Sequence, residues 1–290
     1  MQIAVLCPFN TVVSVGYAEG IIEHLMRLDI DVIVDHNLYR TLDNNPLKEQ
    51  LAVFEDLNET TDFLICVGGD GSMLQAVTRV KNKNVPILGI NTGRLGFLTS
   101  LQKESLNKGL EALWEKKYSL VHRSLLAIDI GAHQALLNDF PFALNEISVS
   151  RKDTASLISV KAEIDGHSLT TYWADGLIVA TPTGSTGYNL SSGGPIVLPE
   201  TPSFVMTPIA PHNLNIRPLV LPNHSIIKLE VSGREEQHLL SLDSRIVSLP
   251  LNSPITIKKA DFNIATVQFN DTAFYNTLRE KLYWGLDKRN

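Results

Sequence analysis

Five apolar residues, Phe63-Leu64-Ile65-Cys66-Val67, run directly into Gly68-Gly69-Asp70-Gly71, after which Met73, Val77 and Val80 recur at helical spacing. An apolar run of that length bounded by glycines reads as a strand buried on both faces. The glycines let the backbone turn sharply, and the helix starts on the turn. A strand, glycine turn and helix in succession fit a parallel sheet covered by helices, where ligands sit outside the carboxyl ends of the strands. The rest of the first 117 residues keeps the alternation: strands are predicted at 3–6, 32–34 and 85–90, and a helix around Ile21, Leu25 and Leu28. Asn45-Pro46 predicts the cap and first position of another helix, with Leu47, Leu51 and Phe54 on one face. A second glycine cluster, Asn91-Thr92-Gly93-Arg94-Leu95-Gly96, closes the fourth strand, and a helix over 104–117 ends the region.

Beyond Tyr118 the texture changes. Val160, Ala162 and Ile164 alternate with polar residues and lead into Asp165-Gly166, a strong hairpin signal. Short strands are predicted at 226–231, 238–242, 255–257 and 264–269, punctuated by Gly233, Pro250 and Pro254. The predicted division is an α/β nucleotide-binding domain over 1–117 and a β-rich, sandwich-like domain over 118–271. A helix within 272–290, with Phe274, Leu278 and Leu282 on one stripe, is expected to pack back on another surface.

Composition narrows the function classes. Lys and Arg number 25 against 31 Asp and Glu, a net charge of −6, where a general nucleic-acid or anionic-membrane binder carries a basic excess. An anionic ligand must therefore be held by backbone amides, a few placed cations or Mg²⁺. No apolar stretch approaches the ~20 residues of a spanning helix, and the opening lacks a basic leader pattern, so a cytoplasmic protein is expected. Cys7 and Cys66, each in or beside an apolar run, read as buried reduced thiols.

Four stretches carry candidate chemistry. In the Gly68–Gly71 turn, converging N–H groups with a helix start behind them suit a phosphate, and the Asp70 carboxylate can take a hydroxyl proton or help hold a metal. The alternative is a tight turn whose aspartate only caps the helix. The second is Asp175-Gly-Leu-Ile-Val-Ala-Thr181-Pro-Thr183-Gly-Ser-Thr186-Gly187-Tyr188-Asn-Leu-Ser191-Ser-Gly193-Gly194-Pro195, an apolar strand followed by hydroxyls, glycines and a tyrosine. Such groups suit a ribose and a heterocyclic base, but they can equally satisfy their own backbone. Asn145-Glu146 sits in an apolar context, where at least one side chain can be buried and in need of a partner. Thr207–Pro218 is proline-rich with potential for a cis bond, and its His212 reads as structural because no second ligand stands at metal-binding spacing. The Walker and G-x-G-x-x-G patterns, H-x-x-x-H and G-x-S-x-G are all absent.

In this order the four stretches resemble the NAD kinase family. Gly-Gly-Asp-Gly alone is shared with phosphofructokinases and diacylglycerol-type lipid kinases, whereas the other three are more specific. Gly187 departs from the family, whose members commonly carry alanine before the tyrosine, a loss expected to loosen the base pocket slightly. The resemblance implies a Rossmann-like α/β domain of the NAD kinase/diacylglycerol kinase type, a β-rich second domain and an active site between them. It implies transfer of the γ-phosphoryl of ATP to the 2′-hydroxyl of the adenosine ribose of NAD, with Mg²⁺ as divalent metal, in a homodimer or homotetramer. On that resemblance Asp70 is the catalytic residue; Gly68, Gly69, Gly71 and Arg94 lie at phosphate; Phe97, Asn145, Glu146, Asp175, Thr183, Thr186, Tyr188, Ser191 and Asp243 contact the dinucleotide. No side chain is assigned to metal. A kinase of the same fold acting on a lipid or sugar, and a non-catalytic nucleotide sensor, are the competing readings.

Overall fold

The computed structural model describes residues 1–42, 46–93, 96–138, 140–153, 156–269 and 273–283. The chain forms two units, Met1–His122 with Ile264–Asn290, and Arg123–Asn263.

The first unit opens with β1 (Gln2–Leu6), α1 (Val12–Arg27), β2 (Asp31–Asp35), α2 (His36–Thr41), β3 (Ala52–Phe54), β4 (Phe63–Val67), α3 (Asp70–Val80) and β5 (Ile87–Asn91). All five strands are parallel, in the order β3-β2-β1-β4-β5. Every residue of β4 and β5 is buried, as a doubly covered parallel strand requires. Local chemistry sets the helix starts. Thr11 and Ser14 form a reciprocal cap on α1, which buries Ala18, Ile21, Ile22 and Leu25 along one stripe. The Asp35 carboxylate accepts from the Asn37 N–H at 3.0 Å and starts α2.

The helix expected after Pro46 does not form. Pro46 and Leu47 turn, Lys48–Gln50 make a 3₁₀ turn, and Ala52–Phe54 become β3 against β2; Asn45, the expected cap, lies outside the described residues. Leu51 and Phe54 do face inward, but a three-residue spacing in so short a window also fits a turn followed by a strand, and the open edge of β2 decides. A short strand, β6 (Leu101–Gln102), pairs with β5, and α4 spans Leu106–Trp114, shorter at both ends than expected.

The second unit is built from strands: β7 (Ser119–Asp129, entering from the first unit), β8 (Phe142–Ala143), β9 (Glu146–Arg151), β10 (Ile158–Ile164), β11 (His167–Ala174) and β12 (Gly176–Ala180). After the one-turn α5 (Tyr188–Ser191) come β13 (Ser203–Ile209), β14 (Leu219–Pro222), β15 (Ile227–Ser232), β16 (Gln237–Leu242), β17 (Arg245–Pro250) and β18 (Pro254–Gln268). One antiparallel sheet runs β14-β13-β12-β9-β16-β17, and β11-β10-β15-β18 form a second antiparallel set. Ile147, Leu177, Phe204 and Leu240 from the first share one apolar core with Val160, Leu229, Val231 and Ile257 from the second, which is sandwich packing. Asp165 and Gly166, both at positive φ (51° and 83°), make the β10–β11 hairpin turn.

Two expectations are corrected here. The separate strands at 255–257 and 264–269 are one strand, β18 (Pro254–Gln268), because residues 258–263 stay extended and Ala260 among them is buried. No peptide bond among the described residues is cis, so the proline-rich stretch turns by other means, with Ala210 at φ 44°. The end of β18 rejoins the first unit: Thr266 pairs with Ile87 on β5, and Val267 lies in that unit's core. Helix α6 (Ala273–Leu282) follows.

Candidate functional site

In the first unit the glycine turn stands at the carboxyl end of β4. Gly68 takes φ +143°, and a Cβ there would fall 2.1 Å from Ser72 Oγ, so only glycine can make this turn. Gly69 caps α3 without any side-chain bond. A Cβ at Gly71 would meet only the Phe9 ring, at 3.5 Å. Asp70 is therefore the first residue of the helix and not its cap. Its carboxylate accepts instead from two backbone N–H groups of the second glycine cluster, Phe97 N to Oδ2 and Leu98 N to Oδ1, each at 2.9 Å. The loop comes this close because Gly96 lacks a side chain: a Cβ there would stand 2.1 Å from Asp70 Oδ1. Phe97 is half-buried, its ring 6.0 Å from that of Phe274 on α6. From the same helix Lys281 reaches Asp70 Oδ2 at 3.4 Å and lies 4.7 Å above the Phe97 ring.

In the second unit, Asn145, Glu146, Thr183, Thr186, Gly187 and Tyr188 gather where β9 begins and β12 ends, since Glu146 pairs with Ala180. Thr181 ties the two elements: its N–H donates to the Asn145 carbonyl at 2.8 Å and its Oγ1 to the Leu144 carbonyl at 2.6 Å. Gly184 packs flat on Asn145, whose carbonyl oxygen would lie 2.0 Å from an added Cβ. Buried Arg123 donates to Thr183 Oγ1 at 3.3 Å. Asp243, at φ 52°, turns its carboxylate under this corner and accepts from the N–H groups of Leu144, Asn145 and Glu146 at 3.0, 2.7 and 3.2 Å. It shapes the corner from below.

What this corner leaves open is chemically specific. Asn145 Oδ1 and Glu146 Oε2 are both buried without a hydrogen-bond partner. Buried orphan acceptors are costly unless a ligand satisfies them. Burial, with the Asp243 charge adding to it and the Tyr188 N–H opposing it, pushes the Glu146 carboxyl up to about 8, so at neutral pH it is largely protonated and can donate. Burial also raises Asp243, against the pull of its three N–H donors and of Arg245. A sugar hydroxyl, which both donates and accepts, matches this pair, and an amino group of a base matches Asn145 Oδ1. A methyl at Gly187 would stand 3.0 Å from Glu146 Oε2, so its absence leaves room beside this carboxyl.

Not every expected residue joins these groups. Asp175 precedes β12, a full strand length from Thr181 and roughly 20 Å away at ~3.3 Å per residue; its Oδ2 pairs with Arg151 at 2.9 Å. Ser191 is exposed at the end of α5, and Tyr188 is exposed at its start. Arg94 lies outside the described residues. His212 is exposed and donates its N–H to the Trp173 carbonyl at 2.7 Å. Among the residues the sequence left unassigned, Asn189 is fully buried: its Nδ2 donates to the Ser185 and Pro195 carbonyls, each at 2.9 Å, and its Oδ1 accepts from Thr207 at 2.6 Å. Those bonds fold the hydroxyl-rich run into its loop, and an amide inside that run was the available signal. Both cysteines are buried and unpaired.

Residues 3–118 match the ATP-NAD kinase N-terminal domain and residues 144–269 the ATP-NAD kinase C-terminal domain. The chain belongs to the ATP-NAD kinase family. It is 46% identical over 294 residues to the NAD kinase of Christiangramia forsetii, with all of both chains covered. To the NAD kinase of Cytophaga hutchinsonii it is 40% identical, covering 96% of each. Among solved structures of this family, yeast NADH kinase complexed with NADH superposes with TM-score 0.86 at 26% identity, covering 99% of this chain and 89% of the yeast one. The Archaeoglobus fulgidus NAD kinase in complex with ATP gives TM-score 0.74 at 29% identity over 98% and 99%.

Proposed function

We propose that this ATP-NAD kinase family member transfers the γ-phosphoryl of ATP to the 2′-hydroxyl of the adenosine ribose of NAD, giving NADP and ADP. The observation that carries the reading at the level of residues is Asp70, a carboxylate at the start of a helix on a glycine turn, fixed through both oxygens by the Phe97 and Leu98 N–H groups. Phosphoryl transfer asks mainly for positioning and charge neutralisation. Asp70 orients the ribose hydroxyl and takes its proton as the new O–P bond forms and the bond to the ADP oxygen breaks. The uncapped first turn of α3 and the glycines offer N–H groups to the phosphates. Asn145 and Glu146 take dinucleotide polar groups on their orphan oxygens, with Thr183, Thr186 and Tyr188 around them. Asp243 supports those residues from beneath, and Phe97 offers a ring to the base.

A divalent metal belongs to the proposal as part of the donor. No group of three or more His, Cys, Asp or Glu side chains placed to hold a metal ion occurs among the described residues. Mg²⁺ keeps its waters and is typically held by substrate phosphates with one or two carboxylates, so it enters with the ATP triphosphate. Mg·ATP is thus the substrate. A cytoplasmic homodimer or homotetramer completes the reading: two buried unpaired thiols accord with a reducing compartment, and Trp173, 55% exposed on β11, offers apolar surface to a second copy.

Incubation with NAD, ATP and Mg²⁺, followed by an NADP-specific dehydrogenase, tests the activity; no signal above blank removes it. Asp70→Asn tests the residue. Turnover should fall to background with NAD affinity kept, and melting should drop by a few degrees, because an amide NH₂ would face one of the two N–H donors at a cost of about 1–2 kcal/mol. An active variant with only lowered stability assigns Asp70 to structure.

A further inference from the structure

The cation beside Asp70 comes from 211 residues further along the chain. Asp70 Oδ2 receives two donors of unequal quality: the Phe97 N–H at 2.9 Å, fixed by the loop backbone, and the Lys281 ammonium at 3.4 Å, on a flexible stem. Oδ1 is taken by the Leu98 N–H. A hydroxyl that delivers its proton to this carboxylate needs a lone pair, and the long Lys281 contact is the one that can yield. The displaced ammonium then stands at the start of α3, where the glycine turn offers N–H groups. The cations on and just after α3 are committed elsewhere, Arg79 to Asp35 at 3.4 Å and Lys81 to Asp56 at 3.1 Å. Phe274 against Phe97 holds α6 in place while the lysine, about one-third exposed, can swing about its stem.

We propose that Lys281 is a phosphate-contacting residue of the donor site: it neutralises Asp70 in the resting enzyme and transfers its contact to the ATP triphosphate when the acceptor hydroxyl takes its place on Oδ2. This rests on the reading of Asp70 as proton acceptor. The chemistry is that of a polyanion held by a point charge with three donors, with no bond made or broken.

The test uses the full chain as wild type, Lys281→Met, Lys281→Arg and, on the same helix, Arg279→Met. Titration calorimetry measures binding of the magnesium complex of β,γ-imido-ATP to enzyme already saturated with NAD, so that the acceptor hydroxyl is in place, and initial rates give separate KM values for ATP and NAD. Lys281→Met should weaken analogue binding and raise the ATP KM roughly 10- to 100-fold, the worth of a charge-assisted hydrogen bond. The NAD KM should stay within about 2-fold, and Lys281→Arg should recover most of the loss. Arg279→Met should bind like wild type. Unchanged analogue binding in Lys281→Met overturns the proposal. Equal loss of ATP and NAD affinity with a lower melting temperature also overturns it, because Lys281 then only holds α6. The binding measurement needs no turnover, so an active Asp70→Asn enzyme would sink the catalytic reading while Lys281 is still decided by its own titration.

Discussion

Replacing Glu146 by glutamine isolates one proton that the folded second unit retains and the unfolded chain releases. Burial and the Asp243 charge hold this carboxyl near 8 against an ordinary 4.5. Between those values the folded state binds one more proton, so the stability it contributes is complete below pH ~4.5 and is lost as pH rises towards and through 8. At ~1.36 kcal/mol per pH unit the full span is worth about 5 kcal/mol, of which roughly 2–3 kcal/mol falls between pH 6 and pH 9. Glutamine keeps the shape and does not titrate. The assay is urea unfolding of wild type and Glu146→Gln, followed by tryptophan fluorescence, at half-unit steps from pH 6 to pH 9. The difference in stability between the two proteins should shift by about 2–3 kcal/mol in favour of the variant across that range. Asp243 titrates in both, so its own contribution largely cancels. A difference that stays flat within about 0.5 kcal/mol refutes the burial argument and shows that water or a partner satisfies Oε2.

Gly96→Ala should lower kcat by roughly 10- to 100-fold with little change in the NAD KM, because the new Cβ, 2.1 Å from Asp70 Oδ1, must displace the carboxylate; an unchanged kcat in steady-state assays contradicts that geometry. His238 is fully buried with both ring nitrogens unpartnered, and burial lowers it to about 4. It stays neutral in the fold, so its stability contribution is whole above pH ~6.5 and is lost as pH falls towards 4. His238→Leu should therefore raise stability by about 1–3 kcal/mol at pH 7 and move the acid-unfolding midpoint lower; a variant less stable than wild type at pH 5 argues against it.

The parallel half of the fold was legible because β1, β2, β4 and β5 each hold an apolar run (residues 3–6, 32–34, 63–67 and 87–90) and the helices between them carry clean stripes. Where one short window fitted two periods, as at Leu47, Leu51 and Phe54, the pattern could not decide, and an unfilled sheet edge did. Polar residues inside β18 looked like a break because a strand may continue with polar side chains facing outward. The Gly68–Gly71 turn in the first unit and the buried polar pair of Asn145 and Glu146 in the second were legible as local features from residue type and order. Asp175 was grouped with Thr183 because both belong to one motif, yet a strand between them separates them by its length. Asp243 was visible as a residue and opaque as to role: a side chain that accepts three main-chain N–H groups leaves no local pattern. Lys281 had no local signal at all, since only the fold brings it to Asp70.

The second unit is an insertion within the first, and β18 carries the polypeptide back. During vectorial synthesis the sheet around the glycine turn therefore waits. Val267, which fills its core, and the Val267 carbonyl that accepts from Ser100, are made only after the whole intervening unit has been synthesised. The first unit thus gains its last strand and the helix bearing Lys281 only after the sandwich has been translated, so a nascent chain arrested before residue 264 has no assembled Asp70–Lys281 pair.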